Sequence, residues 1–161
     1  MFPETPAAAA ALSVAGRHCS PALLHDMGLT EPFDSHRLPF EEAGGQLAWV
    51  FGTAAGWPAE RAERAAEIIR LHMRADVSAA DDPESHLLQV ATSWDVVGRR
   101  PEEFAPDARA ELLARYPRMG FGAEFLACFE DQARRKPDSA AAASVRNDVA
   151  GRIAANPLDG G

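Results

Sequence analysis

Apolar residues recur at intervals of three and four along most of the chain, which is the spacing of amphipathic helices. No stretch alternates between apolar and polar residues for long enough to form a strand. Glycines, prolines and capping residues separate the apolar stripes and mark where each helix should begin or end. The pattern therefore predicts an all-α protein, with helices over about residues 18–27, 40–55, 58–73, 83–97, 107–116, 121–136 and 139–153.

Three of these stripes predict which residues are buried. In the helix that starts at Phe40, the predicted inward face contains Phe40, Ala43, Leu47, Val50 and Ala54. In the last helix it contains Ala142, Val145, Val149 and Ile153. In the helix that starts near Pro83, Leu88 and Ala91 are followed on the same face by Asp95. An unpaired carboxylate on an apolar face is costly, so Asp95 becomes a candidate functional residue.

The chain length of 161 residues suits one domain with a substantial core. We expect a single helical domain over residues 17–155. Residues 1–16 are rich in proline and alanine, and they are predicted to be a tail or the stub of a first helix. Residues 156–161 are predicted to be a disordered C-terminal tail.

Composition and charge limit the classes of function. Hydrophobic residues make up 47% of the chain and charged residues 25%, which is typical of globular proteins. A net charge of −8 disfavours nucleic acid as a partner, and no apolar run approaches the ~20 residues of a membrane helix. Two cysteines provide no disulfide framework, and Met1–Gly16 lacks the basic start of a secretory signal. We therefore expect a cytoplasmic protein that binds neither nucleic acid nor a membrane. These features are compatible with a homo-oligomer.

A histidine and an aspartate stand side by side at His25 and Asp26, after two leucines and before Gly28. The leucines supply a packed side, and Gly28 could end the helix in the left-handed conformation. His72 and Asp95 are also predicted on inward faces. Imidazole nitrogen and carboxylate oxygen together suit zinc, iron or manganese.

Each of the four residues also has an ordinary structural explanation. A histidine on an apolar face is commonly hydrogen-bonded within the core, and Asp95 could cap a helix or pair with an arginine. Taken together, two buried carboxylates beside two imidazoles favour a divalent cation, because the cation compensates the buried negative charge. The sequence therefore predicts a metal site among His25, Asp26, His72 and Asp95.

Several segments resemble one family in the same order along the chain. They are Leu23-Leu24-His25-Asp26-Met27-Gly28-Leu29-Thr30, Phe40-Glu41-Glu42-Ala43-Gly44, Ile68-Ile69-Arg70-Leu71-His72, Trp94-Asp95-Val96-Val97-Gly98, Tyr116-Pro117-Arg118-Met119-Gly120-Phe121 and Lys136-Pro137. Their order and residue patterns are similar to those of the HD-domain superfamily of metal-dependent phosphohydrolases, and within it to those of the cyanamide hydratase-like branch. The resemblance runs from about residue 20 to residue 152 and implies an HD-type helical bundle.

The resemblance implies roles for individual residues. His25, Asp26 and Asp95 would be metal ligands, with zinc as the expected ion and iron or manganese as alternatives. His72 would contact the substrate or the reacting water, and Asp26 would also take part in catalysis. Glu41 and Thr30 would line the pocket.

One feature of the superfamily is missing from this pattern. Its first metal ligand is a histidine on a helix that precedes the His-Asp pair, and here the only histidine before His25 is His18. His18 is expected on the same helix as His25. The chain therefore resembles the family without its usual N-terminal ligand helix, and His18, His36 or water would complete the metal shell.

The expected function is that of a metal-dependent hydrolase or hydratase, which adds water to a small-molecule substrate as cyanamide hydratase does to a nitrile. Two alternatives stay open. One is an HD-type phosphohydrolase that acts on a phosphate ester or nucleotide, with help from Arg99 or Arg100. The other is a non-catalytic HD-fold protein that serves in binding or assembly.

Overall fold

The structure is a computed structural model, and it describes residues 20–103 and 105–159. Every regular element in those ranges is helical, which confirms the all-α prediction. The elements are the described part of α1 (residues 20–24), a 3₁₀ turn (Met27–Leu29), α2 (Phe40–Ala54), α3 (Ala59–Leu71), α4 (Pro83–Val97), a second 3₁₀ turn (Pro101–Glu103), α5 (Pro106–Arg115), α6 (Phe121–Arg135), α7 (Ala140–Arg146) and α8 (Val149–Ala154).

The backbone contacts divide the chain into two compact units, Met1–Leu88 and Gln89–Gly161. Each unit is described by itself below. Among the described helices, none has both the length and the apolar character that crossing a membrane would require. The predicted tail or helix stub at residues 1–16 lies outside the described residues.

In the first unit, α2 and α3 form an antiparallel hairpin whose contact face on α2 consists of small residues. Gly44, Gly45, Ala48 and Gly52 are all buried there. A Cβ atom at Gly45 would lie 2.9 Å from the carbonyl oxygen of Ala66 in α3. The absence of side chains therefore lets the two helices approach closely.

The predicted inward face of α2 is wrong in its second half. Val50 is 56% exposed and Ala54 is also exposed, whereas the buried positions follow Phe40, Gly44, Ala48 and Gly52. Apolar periodicity selected the larger side chains, but the close helix contact requires glycine.

An ion-pair cluster joins α3 to the start of α4 within the first unit. The Arg64 guanidinium donates to the carboxylates of Asp82 and Glu84, at 2.8 Å to the latter, and it also contacts Glu67. Asp82 Oδ1 accepts the backbone N–H of Ser85 at 3.0 Å and so caps α4. The hydrogen bond from Arg64 is the main cause that lowers the pKa of Asp82 from 3.8 to about 2.

Asp82→Asn should lower the free energy of unfolding by about 1–2 kcal/mol at pH 7, because it removes the charge but keeps an acceptor for the cap. A carboxylate with a lowered pKa stabilises the fold above its unfolded pKa and loses that effect as it becomes protonated. The difference between the wild type and the variant should therefore vanish as the pH falls from about 4 to about 2. Urea unfolding across this range measures it.

Asp81→Asn is the matched control, since Asp81 is an exposed neighbour outside the Arg64 cluster. An Asp82→Asn deficit that persisted unchanged at pH 2 would contradict the charge-based explanation.

The second unit contains α4 from Gln89 onwards and α5 to α8. The rings of Phe121, Phe125 and Phe129 stack along α6, with centroid distances of 5.3 and 4.3 Å. This is the arrangement that their spacing in the sequence predicts. Glycine ends α4 as expected, because Gly98 adopts the left-handed conformation with φ +62°.

The predicted last helix is divided into α7 and α8. Ser139 caps α7 as predicted, accepting the N–H of Ala142 at 3.2 Å. Asp148 then adopts a left-handed conformation with φ 57°, and its carboxylate accepts the N–H of Gly151 at 3.1 Å. Asp148 therefore ends one helix and caps the next. Val149 and Ile153 are nevertheless buried, as the stripe predicts.

Residues 156–159 are packed onto the second unit, although the sequence places residues 156–161 in a disordered tail. Asn156 and Leu158 are each 3% exposed. Asp159 Oδ1 accepts a hydrogen bond of 2.8 Å from Nε of Arg118. A buried amide, an apolar anchor and an ion pair hold this segment. Residues 160 and 161 lie outside the described ranges.

Candidate metal centre

His25 and Asp26 form a tight turn between α1 and the 3₁₀ turn Met27–Leu29. Gly28 lies inside that 3₁₀ turn, and the left-handed glycines of the described ranges are Gly56, Gly98 and Gly120. The expectation that Gly28 ends a helix in the left-handed conformation is therefore wrong.

Gly28 instead permits a close approach between the turn and α2. A Cβ atom on Gly28 would lie 2.1 Å from the carbonyl oxygen of Phe40, which is far inside van der Waals contact. Gly44 does the same one turn further along α2, where a Cβ would lie 3.0 Å from the carbonyl oxygen of His25. The two glycines together fix the turn against the start of α2.

Gly28→Ala should destabilise the protein by about 3 kcal/mol, because the new methyl group overlaps a backbone atom and the turn must move. Gly56→Ala is the control, since it meets no atom within 4 Å and costs only the left-handed strain of about 1 kcal/mol. Chemical denaturation measures both. Equal losses in the two variants would contradict the packing role of Gly28.

His72 comes to the same place from the end of α3. It follows the last residue of that helix and is 5% exposed. Its ring packs edge-on against His25 at a centroid distance of 5.1 Å and against Phe40 at 5.6 Å. The first unit therefore gathers two imidazoles around the His25–Asp26 turn.

The Asp26 carboxylate lies between the two imidazoles. Its Oδ2 is 3.1 Å from Nε2 of His25, and its Oδ1 is 4.0 Å from Nε2 of His72. One ligand atom from each of the three residues can be chosen so that all lie within 4.8 Å of one another. His25 and Asp26 are partly exposed, with 20% and 31% of their side-chain surface accessible, so solvent reaches one side of the group.

Backbone carbonyls determine which ring nitrogen is available in each histidine. Nδ1 of His25 lies 2.8 Å from the carbonyl oxygen of Ala22, and Nδ1 of His72 lies 2.5 Å from that of Ile69. A carbonyl only accepts, so each Nδ1 must carry the proton. In the neutral rings both Nε2 lone pairs are then available to a ligand. Orientation of a ligating imidazole by such a bond is common in metal sites.

The donor set fits a divalent cation. A neutral His25 in this tautomer directs the Nε2 lone pair at a carboxylate oxygen only 3.1 Å away, which is repulsive. Either a proton on Nε2 or a cation bound between the two atoms relieves that repulsion. Two imidazole nitrogens and a carboxylate are a ligand set that zinc, iron and manganese accept.

His72 is held in its neutral form. Burial is the main cause that lowers the pKa of His72 from 6.5 to about 4, and the neighbouring His25 adds to the effect. At pH 7 the ring therefore carries no charge, and no proton has to leave Nε2 before a metal binds.

Because His72 is buried in its neutral form, the free energy of unfolding should decrease as the pH falls from about 6.5 to about 4. The unfolded state takes up a proton in this window while the folded state does not, so the free energy of unfolding falls by up to about 3 kcal/mol. His72→Gln should lose this part of the pH dependence in metal-free protein. Unfolding curves at several pH values measure the difference.

His36→Gln, at an exposed position, controls for the loss of an imidazole elsewhere. Parallel pH profiles for the wild type and His72→Gln would contradict the burial of a neutral His72.

Asp95 belongs to the second unit, where its carboxylate pairs with Arg118. Its backbone carbonyl accepts hydrogen bonds from Nη2 of Arg118 at 3.0 Å and from Nδ2 of Asn156 at 2.7 Å. The side chain is 48% exposed, so the expectation of a buried carboxylate is wrong. Pairing with an arginine was the ordinary explanation of this residue, and the structure shows that pair. A role for Asp95 as a metal ligand stays a prediction.

The other predicted pocket residues take different positions in the first unit. Glu41 is 7% exposed and follows Phe40, the residue whose ring contacts His72. Thr30 is exposed, and its hydroxyl donates to the carbonyl oxygen of Met27 at 2.7 Å, which closes the 3₁₀ turn. Neither belongs to the three-residue group, and their roles in a pocket stay predictions. His36 is exposed, and His18 lies outside the described residues.

Two residues to which the sequence pattern assigned no role make contacts that shape the structure. Gly44 was quoted as part of a motif but given no role, although its lack of a side chain admits the His25 turn. Arg118 also lay within a quoted motif, and a basic residue there was the available signal for a partner of Asp95.

No protein-family model matches the chain, and no curated protein matches it. The resemblance to the HD-domain superfamily therefore rests on the ordered motifs alone.

Proposed function

We propose that the chain is a metal-dependent hydrolase or hydratase of the HD type, which adds water to a small uncharged substrate such as a nitrile. The observation that carries this proposal is the grouping of His25, Asp26 and His72, in which both Nδ1 atoms face backbone carbonyls and both Nε2 atoms face the carboxylate of Asp26. Groups of this composition bind catalytic divalent ions.

His25 and His72 would hold the ion through Nε2, and Asp26 through a carboxylate oxygen. Zinc is the expected ion, with iron or manganese as alternatives. When bound, the cation supplies Lewis-acid activation of water and of the substrate. Asp95 is the fourth proposed ligand, and in that role it would have to exchange its ion pair with Arg118 for the metal.

Asp26 has a second proposed role. Its two oxygens face different imidazoles, so one oxygen can serve the ion while the other accepts a hydrogen bond from the attacking water. A carboxylate in that position orients the water and receives its proton. This gives Asp26 both roles that the family resemblance implies.

His72 has two proposed roles that experiment can separate. Its distance to Asp26 favours a metal ligand, whereas the family resemblance favours a residue that orients water or substrate. Because its ring is neutral at pH 7, either role is available without prior loss of a proton. If His72 is a ligand, its removal weakens metal binding; if it orients the substrate, its removal lowers turnover and leaves binding intact.

The sequence has no clear lysine or arginine cluster, which supports an uncharged substrate, because phosphoryl transfer usually draws on additional cationic groups. The ion pair between Asp95 and Arg118 favours a second candidate function. If Asp95 keeps that pair, the metal site has one ligand fewer, and the chain would serve as a non-catalytic binding or assembly protein.

We expect sub-stoichiometric metal in purified protein and one equivalent after zinc or manganese is added, because the shell stays open and exchanges its ion until Asp95 leaves Arg118. Asp26→Asn should weaken the ion's affinity by at least about tenfold, since it removes the anionic ligand. Isothermal titration and elemental analysis measure both. His72→Ala decides between its two roles in the same titration, and His36→Ala is the matched histidine control.

Turnover completes the test. The metal-loaded protein should hydrate cyanamide or a related nitrile, and the stripped protein and Asp26→Asn should not. Activity on a phosphate ester instead would transfer the proposal to the phosphohydrolase alternative. Metal binding without turnover on either substrate class would favour the binding protein. Failure to bind an ion at millimolar concentration would contradict the metalloenzyme proposal.

A further inference from the structure

The outer face of α2 is unusually apolar for a surface helix. Trp49, Val50 and Phe51 are consecutive, and they are 45%, 56% and 52% exposed. Glycine and alanine occupy the side of the helix that packs against α3. The largest apolar side chains at the middle of α2 therefore point away from the core, which is a feature of interaction surfaces.

A groove of about 350 Å³ runs beside these side chains, between α2 and α3. Its lining residues are Gln46, Trp49 and Val50 from α2 and Glu63, Ala66 and Arg70 from α3. The groove lies entirely within the first unit. An aromatic residue beside a concave apolar surface, with charges at the margin, is the usual composition of a protein–protein contact.

The groove has two charged side chains of opposite sign, which lie on the same helix about two turns apart. Glu63 and Arg70 are seven residues apart on α3, about 10.5 Å along the axis, and Ala66 lies near the midpoint. Neither makes an ion pair or hydrogen bond with any residue in the described ranges. Within the described part of the chain, the groove therefore has an unpaired acid at one end and an unpaired base at the other.

We propose that this groove is the contact surface between two copies of the chain. A two-fold axis through the region of Ala66 reverses α3, so Glu63 meets Arg70 of the partner subunit and the reciprocal pair forms by symmetry. Trp49 and Val50 of each copy then cover the apolar middle of the contact. This inference does not depend on the metal centre.

Charge balance favours a second copy over a different partner. The whole chain has a net charge of −8, so most surfaces of two copies repel each other. The groove has one charge of each sign and no net charge. Under two-fold symmetry, each charged end meets the oppositely charged end of the second copy. Isologous contacts require that self-complementarity.

Sedimentation equilibrium of the full chain tests the proposal. We expect a concentration-dependent species of twice the 17.3 kDa chain mass, and Val50→Asp should remove it because a carboxylate enters the apolar middle. Circular dichroism confirms that the variant keeps its helices. A wild-type chain that stays monomeric up to about 1 mM, where even weak specific contacts form dimers, overturns the proposal.

Charge reversal tests the geometry separately from the apolar contact. Glu63→Arg should raise the dimer dissociation constant about tenfold, because it opposes like charges at both symmetric pairs. Adding Arg70→Glu to that variant should restore the dimer, since the pair is re-formed with its charges exchanged. Glu130→Arg, at an exposed position of α6, is the matched control and should not change the constant.

A double variant that dimerises no better than Glu63→Arg alone overturns the two-fold arrangement. So does a dimer that Val50→Asp leaves intact, because its contact would then lie elsewhere.

Discussion

The candidate centre depends on how closely a turn can approach a helix. Gly28, in the 3₁₀ turn that follows His25 and Asp26, has no side chain, and its backbone can therefore pack closely against the carbonyl group of Phe40. Gly44 admits the carbonyl of His25 on the same face of α2. Any larger residue at Gly28 would force the turn outward. The imidazole and carboxylate of the turn would then no longer lie beside His72.

This close approach also determines the chemistry of the site. With the turn held, the carbonyl of Ala22 occupies Nδ1 of His25, and the end of α3 supplies the carbonyl of Ile69 to Nδ1 of His72. The backbone thereby fixes a proton on Nδ1 of both rings before any ligand binds, which lowers the cost of organising the site. Burial keeps the His72 ring neutral, and partial exposure of Asp26 leaves the group open to solvent.

Much of the fold could be predicted from the sequence because helix ends are marked locally. Gly56, Gly98 and Ser139 end or cap helices where their residue types predict. The buried face of α2 could not be predicted, because periodicity measures hydrophobicity and this contact is made by glycine. The division at Asp148 was missed for a related reason. The apolar stripe of the last helix continues across it, and only the capping preference of aspartate marks the break.

The candidate site was predictable to a similar extent. Residue types and family resemblance were enough to identify His25, Asp26 and His72 as candidates. The distances between their side chains are a tertiary property that the sequence does not give. Asp95 shows the limit most clearly. Helical spacing placed it on an apolar face, and the pairing with Arg118, 23 residues later, could not be read from that spacing. A role for Asp95 at the metal stays a prediction.

The same physical feature connects the two faces of α2. Because its inner face is made of glycine and alanine, its bulky apolar residues are left on the outside, where Trp49 and Val50 line a groove. The small residues that admit the His25 turn and α3 thus also account for an exposed apolar surface. One helix serves the candidate centre on one side and the proposed subunit contact on the other.

The most direct test of the central claim is anomalous X-ray diffraction at the zinc absorption edge from crystals grown with zinc. We predict one strong peak within about 2.0–2.2 Å of Nε2 of His25 and a carboxylate oxygen of Asp26, and within the same distance of Nε2 of His72 if His72 is a ligand. Both Nδ1 atoms should keep their hydrogen bonds to Ala22 and Ile69. A peak bound through either Nδ1, or zinc bound only at other residues, would contradict the claim that this turn and its backbone carbonyls organise a metal centre.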